Sequence, residues 1–335
     1  MSNRIRNTCL VLLAVTFLVL LAAFAASAAS TRNLARRLEP DHAGGPAPIR
    51  VVFISQVQNN PFWRSIEQGA RASAGRYGMD VEYAGPLRID AAEQSRLLEK
   101  AIAAGAGALI VQGLDDPVYA KLIDQAAAQG IPTVTVDADE PDSKRIAYVG
   151  TDNRRAGASM GELVVRTIGT AGRIGALLGS EANNQRLRLE GFRSVVNRYP
   201  GLSVVDVRYS NVSRVQAAQQ AEAMLRKDPG LKAIVGFSAL DGLGIAEAAG
   251  RAGNARVRVF AFDDLEYTRQ AIRAGRITAT IVQEPYGMGE EAVALLHAAL
   301  QGDNADPIHY TDTSVLDRAS LGTSGLNGAD GGSRE

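Results

Sequence analysis

Ile49 to Trp63 reads I-R-V-V-F-I-S-Q-V-Q-N-N-P-F-W, and the fold can be read outward from this stretch. Val51, Val52, Phe53 and Ile54 form an unbroken apolar run, the pattern of a strand buried on both faces. Polar residues follow directly: Ser55, Gln56, Gln58, Asn59 and Asn60. Asn60 is suited to cap a helix and Pro61 to fill its first position. Phe62 and Trp63 stand beside them, where a helix start at a strand's carboxyl end is an awkward place to bury two large rings. A cleft role is therefore expected for at least one of them. Amides next to flat apolar rings suit a ligand that is polar at its edges and apolar on its faces, as a sugar is.

The same rhythm recurs along the chain. Short apolar runs predict strands at 50–55, 79–84, 107–111, 132–136, 146–149, 173–178, 203–208, 232–236, 257–262 and 277–282. Helical patterns lie between most of them. The helix expected over 213–227 has Ser213 as its cap, an apolar stripe of Ala217, Ala221, Met224 and Leu225, and Pro229-Gly230 as its stop. Alternation of this kind predicts an α/β protein with parallel sheets and helices on both faces. Strands one to four occupy 49–136 and a second set 173–262, which together exceed one ordinary domain, so two similar lobes are expected.

Lys plus Arg and Asp plus Glu both number 36 in the 335 residues, so there is no basic footprint of the kind nucleic-acid binding leaves. One cysteine, Cys9, makes neither an internal disulfide nor a thiolate metal cluster. Arg4 and Arg6 precede an uncharged stretch, Cys9–Ser30, that closes on small residues. Residues 1–30 read equally as a cleaved secretory signal or a retained membrane anchor; either places the bulk of the chain outside the cytoplasmic membrane. Residues 31–48 read as a linker, and 321–335, rich in Gly and Ser, as a disordered tail.

Ligands of doubly wound sheets bind beyond the carboxyl ends of the strands. Gln56, Asn60, Phe62 and Trp63 follow strand one, and Gln112-Gly113-Leu114-Asp115-Asp116-Pro117 follows strand three, with Asp116 a further cap. Asp137-Ala138-Asp139-Glu140-Pro141-Asp142 follows strand four. Its acids lack the spacing, central Gly and distal Glu of an EF-hand calcium loop, so a single carboxylate, Asp137, accepting hydroxyl hydrogen bonds is the better reading. In the second set, Arg186 and Arg188 lie 200° apart on a helix, so only one can face a cleft. Ser238, Asp263 and Gln283 each close on a strand end. No metal and no cofactor is expected. Gly157-Ala158-Ser159-Met160-Gly161 matches a nucleophile-elbow pattern but falls inside a helix starting near Arg154. No dinucleotide glycine motif follows strand one, and no P-loop is present.

N-N-P-F-W, T-V-D-A-D, R-L-E-G-F, A-F-D-D and T-A-T-I-V-Q-E-P-Y-G-M-G, in this order between Ile49 and Arg318, resemble the periplasmic sugar-binding proteins of the ribose-binding type. The resemblance implies two Rossmann-like lobes joined by three crossover segments that close on a monosaccharide. It implies lobe 1 over 49–151 plus 284–310 and lobe 2 over 152–283 plus 311–320. It also implies a non-enzymatic, exported monomer that hands sugar to an ABC permease, or one that signals to a membrane sensor protein. Asn60, Phe62, Trp63, Asp137, Arg188, Asp263 and Gln283 match the family's ligand residues. Ala138, Val212 and Ser238 depart from the family's arginine, aromatic and asparagine, which weighs against ribose itself.

Overall fold

The computed structural model describes residues 47–254 and 256–323. The leader expected over 1–30 and nearly all of the linker lie outside them, as does the tail beyond 323. Among the described residues no helix is long and apolar enough to cross a membrane.

The first lobe is built on β1 (Ile49–Ile54), β2 (Met79–Ala84), β3 (Ala108–Val111), β4 (Thr133–Val136) and β5 (Ala147–Thr151). Helices α1 (Pro61–Arg76), α2 (Ala91–Ala103) and α3 (Pro117–Ala128) connect the first four. After β5 the chain leaves this lobe. Helix α4 (Asn153–Ile168) leads to β6 (Ala171–Leu178), α5 (Asn183–Val196), β7 (Gly201–Tyr209), α6 (Arg214–Lys227), β8 (Ala233–Gly236), α7 (Asp241–Arg251), β9 (Arg258–Phe262), α8 (Glu266–Arg273) and β10 (Ala279–Val282). It then returns through α9 (Pro285–Leu300) to β11 (Ile308–Thr311) and crosses once more to β12 (Ser314–Asp317) and α10 (Arg318–Thr323).

Two six-stranded sheets result, in the orders β11-β5-β4-β3-β1-β2 and β12-β10-β9-β8-β6-β7. Every pairing is parallel except that of β12, which runs antiparallel along β10. The chain thus passes between lobes at Thr151–Asn153, Val282–Pro285 and Thr311–Ser314. The two-lobed α/β architecture with three crossovers is the one expected. Strands β11 and β12 were not foreseen, because I-H-Y-T and S-V-L-D are short and half exposed. Leu321, expected to begin the tail, is a buried core residue of the second lobe.

Alternation along β1 shows how the first sheet is clad. Val51 and Phe53 join the core under α1 and α9, while Val52 and Ile54 join the core under α2 and α3. Each such side chain contributes about 1.5–3 kcal/mol by leaving water. The helices nearest the cleft pack through glycines. A Cβ on Gly69 or Gly289 would collide with backbone of the partner helix, which brings α1 and α9 together. Gly157 and Gly191 do the same for α4 and α5. The Gly157–Gly161 motif therefore serves helix packing, in a helix that begins at Asn153 with Asp152 as its cap.

Candidate functional site

All nine residues singled out from the sequence (Gln56, Asn60, Phe62, Trp63, Asp137, Arg188, Ser238, Asp263 and Gln283) line one cavity between the lobes, at the carboxyl ends of the strands. Atom-free space among these residues, part of it open to solvent, comes to about 360 Å³. Gln112, Asn184, Gln185, Val212 and Ala239 complete its wall.

Local rules place these side chains. Asn60 caps α1, its Oδ1 accepting from the Phe62 amide at 2.9 Å, with Pro61 as the first helical residue. Phe62 and Trp63 are then fixed on the cleft side of the first turn. They do not choose between core and cleft: both belong to the core cluster of the first lobe and both line the cavity. Trp63 packs tilted on Phe53 and edge-on against Phe62. Asp137 and Asp263 each follow the last residue of a buried central strand by one, at φ of 65° and 64°. Aspartate tolerates this left-handed region better than most residues.

Arg188 is the centre of the site. It is 2% exposed, and every nitrogen of its guanidinium has a role. Nε donates to Asn153 Oδ1 at 2.8 Å, Nη1 to the Phe237 carbonyl at 2.9 Å and Nη2 to Gln283 Oε1 at 2.6 Å. Asp137 Oδ1 lies 3.8 Å from Nη2, and the Phe262 ring stacks 4.6 Å below Cζ. Arg186, on the other side of α5, is exposed and pairs with Asp115 of the opposite lobe.

Two carboxylates share this one cation. Asp137 Oδ2 accepts from Asn184 Nδ2 at 2.8 Å and from Gln112 Nε2 at 3.3 Å, and Asp263 Oδ1 accepts from Gln283 Nε2 at 2.9 Å. Burial pushes both carboxyls up to about 6, against the pull of the Arg188 charge and of these amides. Such an arrangement accepts hydrogen bonds from adjacent hydroxyls and covers a ring's C–H face with Phe62 and Trp63. It presents no candidate nucleophile beside a base, and no cluster of metal-ligating groups occurs among the described residues.

Asn184 and Gln185 were missed by sequence reasoning, yet a signal existed: Asn184 precedes Arg188 by four residues and so shares its face of α5. Asp139, next in the acidic run, is instead absorbed by structure. It pairs with Arg145 and accepts from Thr135 Oγ1 at 2.8 Å.

With the geometry in place, likeness to known proteins is informative. Residues 51–304 match the model of the periplasmic binding protein domain. A D-apiose import binding protein of Actinobacillus succinogenes is 27% identical over 246 residues, 72% of this chain and 79% of its own. Among solved structures, GanP, a glucose-galactose binding protein from Geobacillus stearothermophilus, superposes with a TM-score of 0.79 at 35% identity, over 82% of this chain and 99% of that one. XylFII in a XylFII–LytSN complex superposes with a TM-score of 0.78 at 34% identity, over 82% and 99%.

Proposed function

The chain belongs to the periplasmic binding protein family, and from that premise we propose that it is an extracytoplasmic monosaccharide-binding protein, not an enzyme, that delivers its ligand to an ABC importer. The observation that carries this reading is Arg188, buried beside Asp137 and linked through Gln283 to Asp263, in a cavity roofed by Phe62 and Trp63 and lined from two lobes. Asn60, with its oxygen committed to the helix cap, keeps an amide NH2 for the ligand. Asp137, Asp263, Gln112 and Gln283 supply acceptors and donors for ring hydroxyls, and charge-assisted bonds of this kind are the strong ones. The relatives named for apiose import and for glucose and galactose binding support a sugar as the ligand class. Closure follows from the ligand touching both lobes, which favours the closed form by its differential affinity for that form.

Trp63 is the sole tryptophan, so its emission reports cleft occupancy. A panel of pentoses and hexoses should contain at least one that changes this emission saturably. The same sugar at 100 times its dissociation constant should add about 2.7 kcal/mol of stability. A folded protein unresponsive to every sugar would overturn the reading.

A second role is favoured by one observation: XylFII is found in a complex with LytSN, which supports a lobe that works through a protein partner, here read as a membrane sensor. Uptake of labelled sugar in a strain lacking this chain separates the two. Transport predicts lost uptake, whereas sensing predicts intact uptake with lost sugar-dependent induction. Residues 1–30 would act as an export signal in the first role and as an anchor in the second.

A further inference from the structure

The cavity is lopsided. The first lobe covers it with two aromatic rings, whereas one corner of the second lobe is made of Val212, Ser238 and Ala239. This corner is built closely around Gly179, at the end of β6. A Cβ there would meet Ser238 Cβ at 2.7 Å, Ser238 Oγ at 2.9 Å and Val212 Cγ2 at 3.0 Å. The two side chains therefore converge on one spot, and a glycine is what leaves room for them.

Both are held firmly. Asn211 and Val212 adopt φ of 52° and 50°, a left-handed pair in which a β-branched valine is strained. The Val212 amide donates to the Gly179 carbonyl at 2.9 Å, which pins the turn against the corner. Asp241 Oδ2 accepts from the Ser238 amide at 2.9 Å while Oδ1 accepts from Ser210 Oγ at 2.5 Å. Asp241 thus fixes the Ser238 backbone with a carboxylate already occupied. The Ser238 hydroxyl, in a residue 4% exposed, lies near enough to the Asp241 carboxylate to favour its charged form, but it makes no hydrogen bond of good geometry in the protein. A buried hydroxyl without a partner is costly, by about 1–3 kcal/mol, unless a ligand satisfies it.

A corner with two apolar surfaces and one unpartnered hydroxyl complements a group made of one carbon and one hydroxyl. We propose that it is the subsite for the exocyclic hydroxymethyl of a hexopyranose, with the CH2 against Val212 and Ala239 and the O6 hydroxyl bonded to Ser238 Oγ. The inference rests on the monosaccharide-binding reading and names its substrate class. A pentopyranose ends in a ring CH2 and would leave Ser238 unpaired.

Titration calorimetry on matched sugars tests this. The pairs D-glucose and D-xylose, and D-galactose and L-arabinose, differ only by the hydroxymethyl. In at least one pair the hexose should bind tenfold or more tightly than its pentose. Ser238→Ala should weaken the hexose about tenfold and the pentose less than twofold. Val212→Phe, which fills the corner with an unbranched residue at the same backbone geometry, should abolish hexose binding and spare the pentose. D-Fucose, lacking O6, should bind more weakly than D-galactose and be insensitive to Ser238→Ala. Pentoses that match or exceed their hexoses in both pairs, or a Ser238→Ala effect equal for hexose and pentose, overturn the subsite and leave sugar binding standing. If no sugar of either class binds, both fall together.

Discussion

The two lobes present the same carboxylate by the same device and then surround it differently. In the first, the Asp137 amide donates to the Val149 carbonyl at 3.1 Å while its own carbonyl accepts from Tyr148 Oη at 3.0 Å. In the second, Asp263 does this with Ile281 at 2.7 Å and Thr280 Oγ1 at 2.8 Å. Both are left-handed, both are buried, and both are pushed up to about 6. Each lobe also closes a helix pair through glycines beside its strand ends. The walls part company: two aromatic rings on one side, a valine, a serine and an alanine on the other. Carboxylate placement is thus a backbone property shared by both lobes, whereas the walls, a helix start on one side and loops on the other, are free to differ and so to set which ring fits.

Arg188 is the one residue on which both carboxylates depend, so its loss should have the largest effect. Arg188→Met strips the compensating charge from two buried acids and leaves Asn153 Oδ1, Gln283 Oε1 and the Phe237 carbonyl with fewer donors. Breaking a buried pair in this way costs about 3–5 kcal/mol. Sugar binding should fall beyond detection by calorimetry, and the thermal midpoint should drop by several degrees. Affinity within threefold of the parent would show that the lobes do not share a single cation.

The next effect separates the lobes. A hydrogen bond to a charged group contributes about 1.5–3 kcal/mol, so Asp137→Asn and Asp263→Asn should each weaken binding by about 10- to 150-fold. Asp137 also accepts Asn184 from across the cleft, and Asp263 has no such bond. Asp137→Asn should therefore release sugar faster in stopped-flow displacement, and equal release rates would erase the distinction.

Acidity provides a third handle. Carboxyls raised from the ordinary 3.8 to about 6 keep protons in the folded state that the unfolded chain has already released. The folded state then binds more protons between pH 4 and 6, so ligand-free stability falls as pH rises through that window. Sugar affinity should rise over the same window, because ionised carboxylates are the better acceptors of hydroxyl hydrogen bonds. Asp241 is also pushed up to about 6 by burial but does not line the cavity, so it joins the stability trend alone. Urea unfolding at pH 4.5 and 7.5, with calorimetry in buffers of different ionisation enthalpy, checks both slopes. Affinity independent of pH between 5 and 7 would place the carboxylates outside ligand contact.

How much of this was legible in the sequence follows from the same contrast. Strand ends announce themselves, because an apolar run must stop where the chain turns, and the polar residue just beyond it falls in the cleft. That rule found Asp137, Asp263, Gln283 and Ser238, and capping chemistry found Asn60. Residues placed by helix phase were harder: phase shows that only one of Arg186 and Arg188 can face the cleft, and it took the family resemblance to pick Arg188, while Asn184 needed the step of four residues to be applied backwards. Gln185 and Ala239 had no local signal. β11 and β12 were hidden because an edge strand needs apolar contact on fewer sides.

The smallest effect should come from the exposed Arg186–Asp115 pair, which also spans the lobes. Its side chains are 47% and 34% exposed, and ion pairs in such surroundings contribute about 0–1 kcal/mol. Arg186→Ala should therefore weaken sugar binding by at most about fivefold at low ionic strength, mainly through faster release, since the pair forms only when the lobes meet. In 0.5 M salt, where screening acts within about 4–5 Å, the difference from the parent should vanish. Asn184→Ala, which removes a buried bond between the same two lobes, should keep its effect at both salt concentrations. The two variants so divide closure into a screened rim and an unscreened interior, and a salt-resistant loss in Arg186→Ala would move that boundary outward.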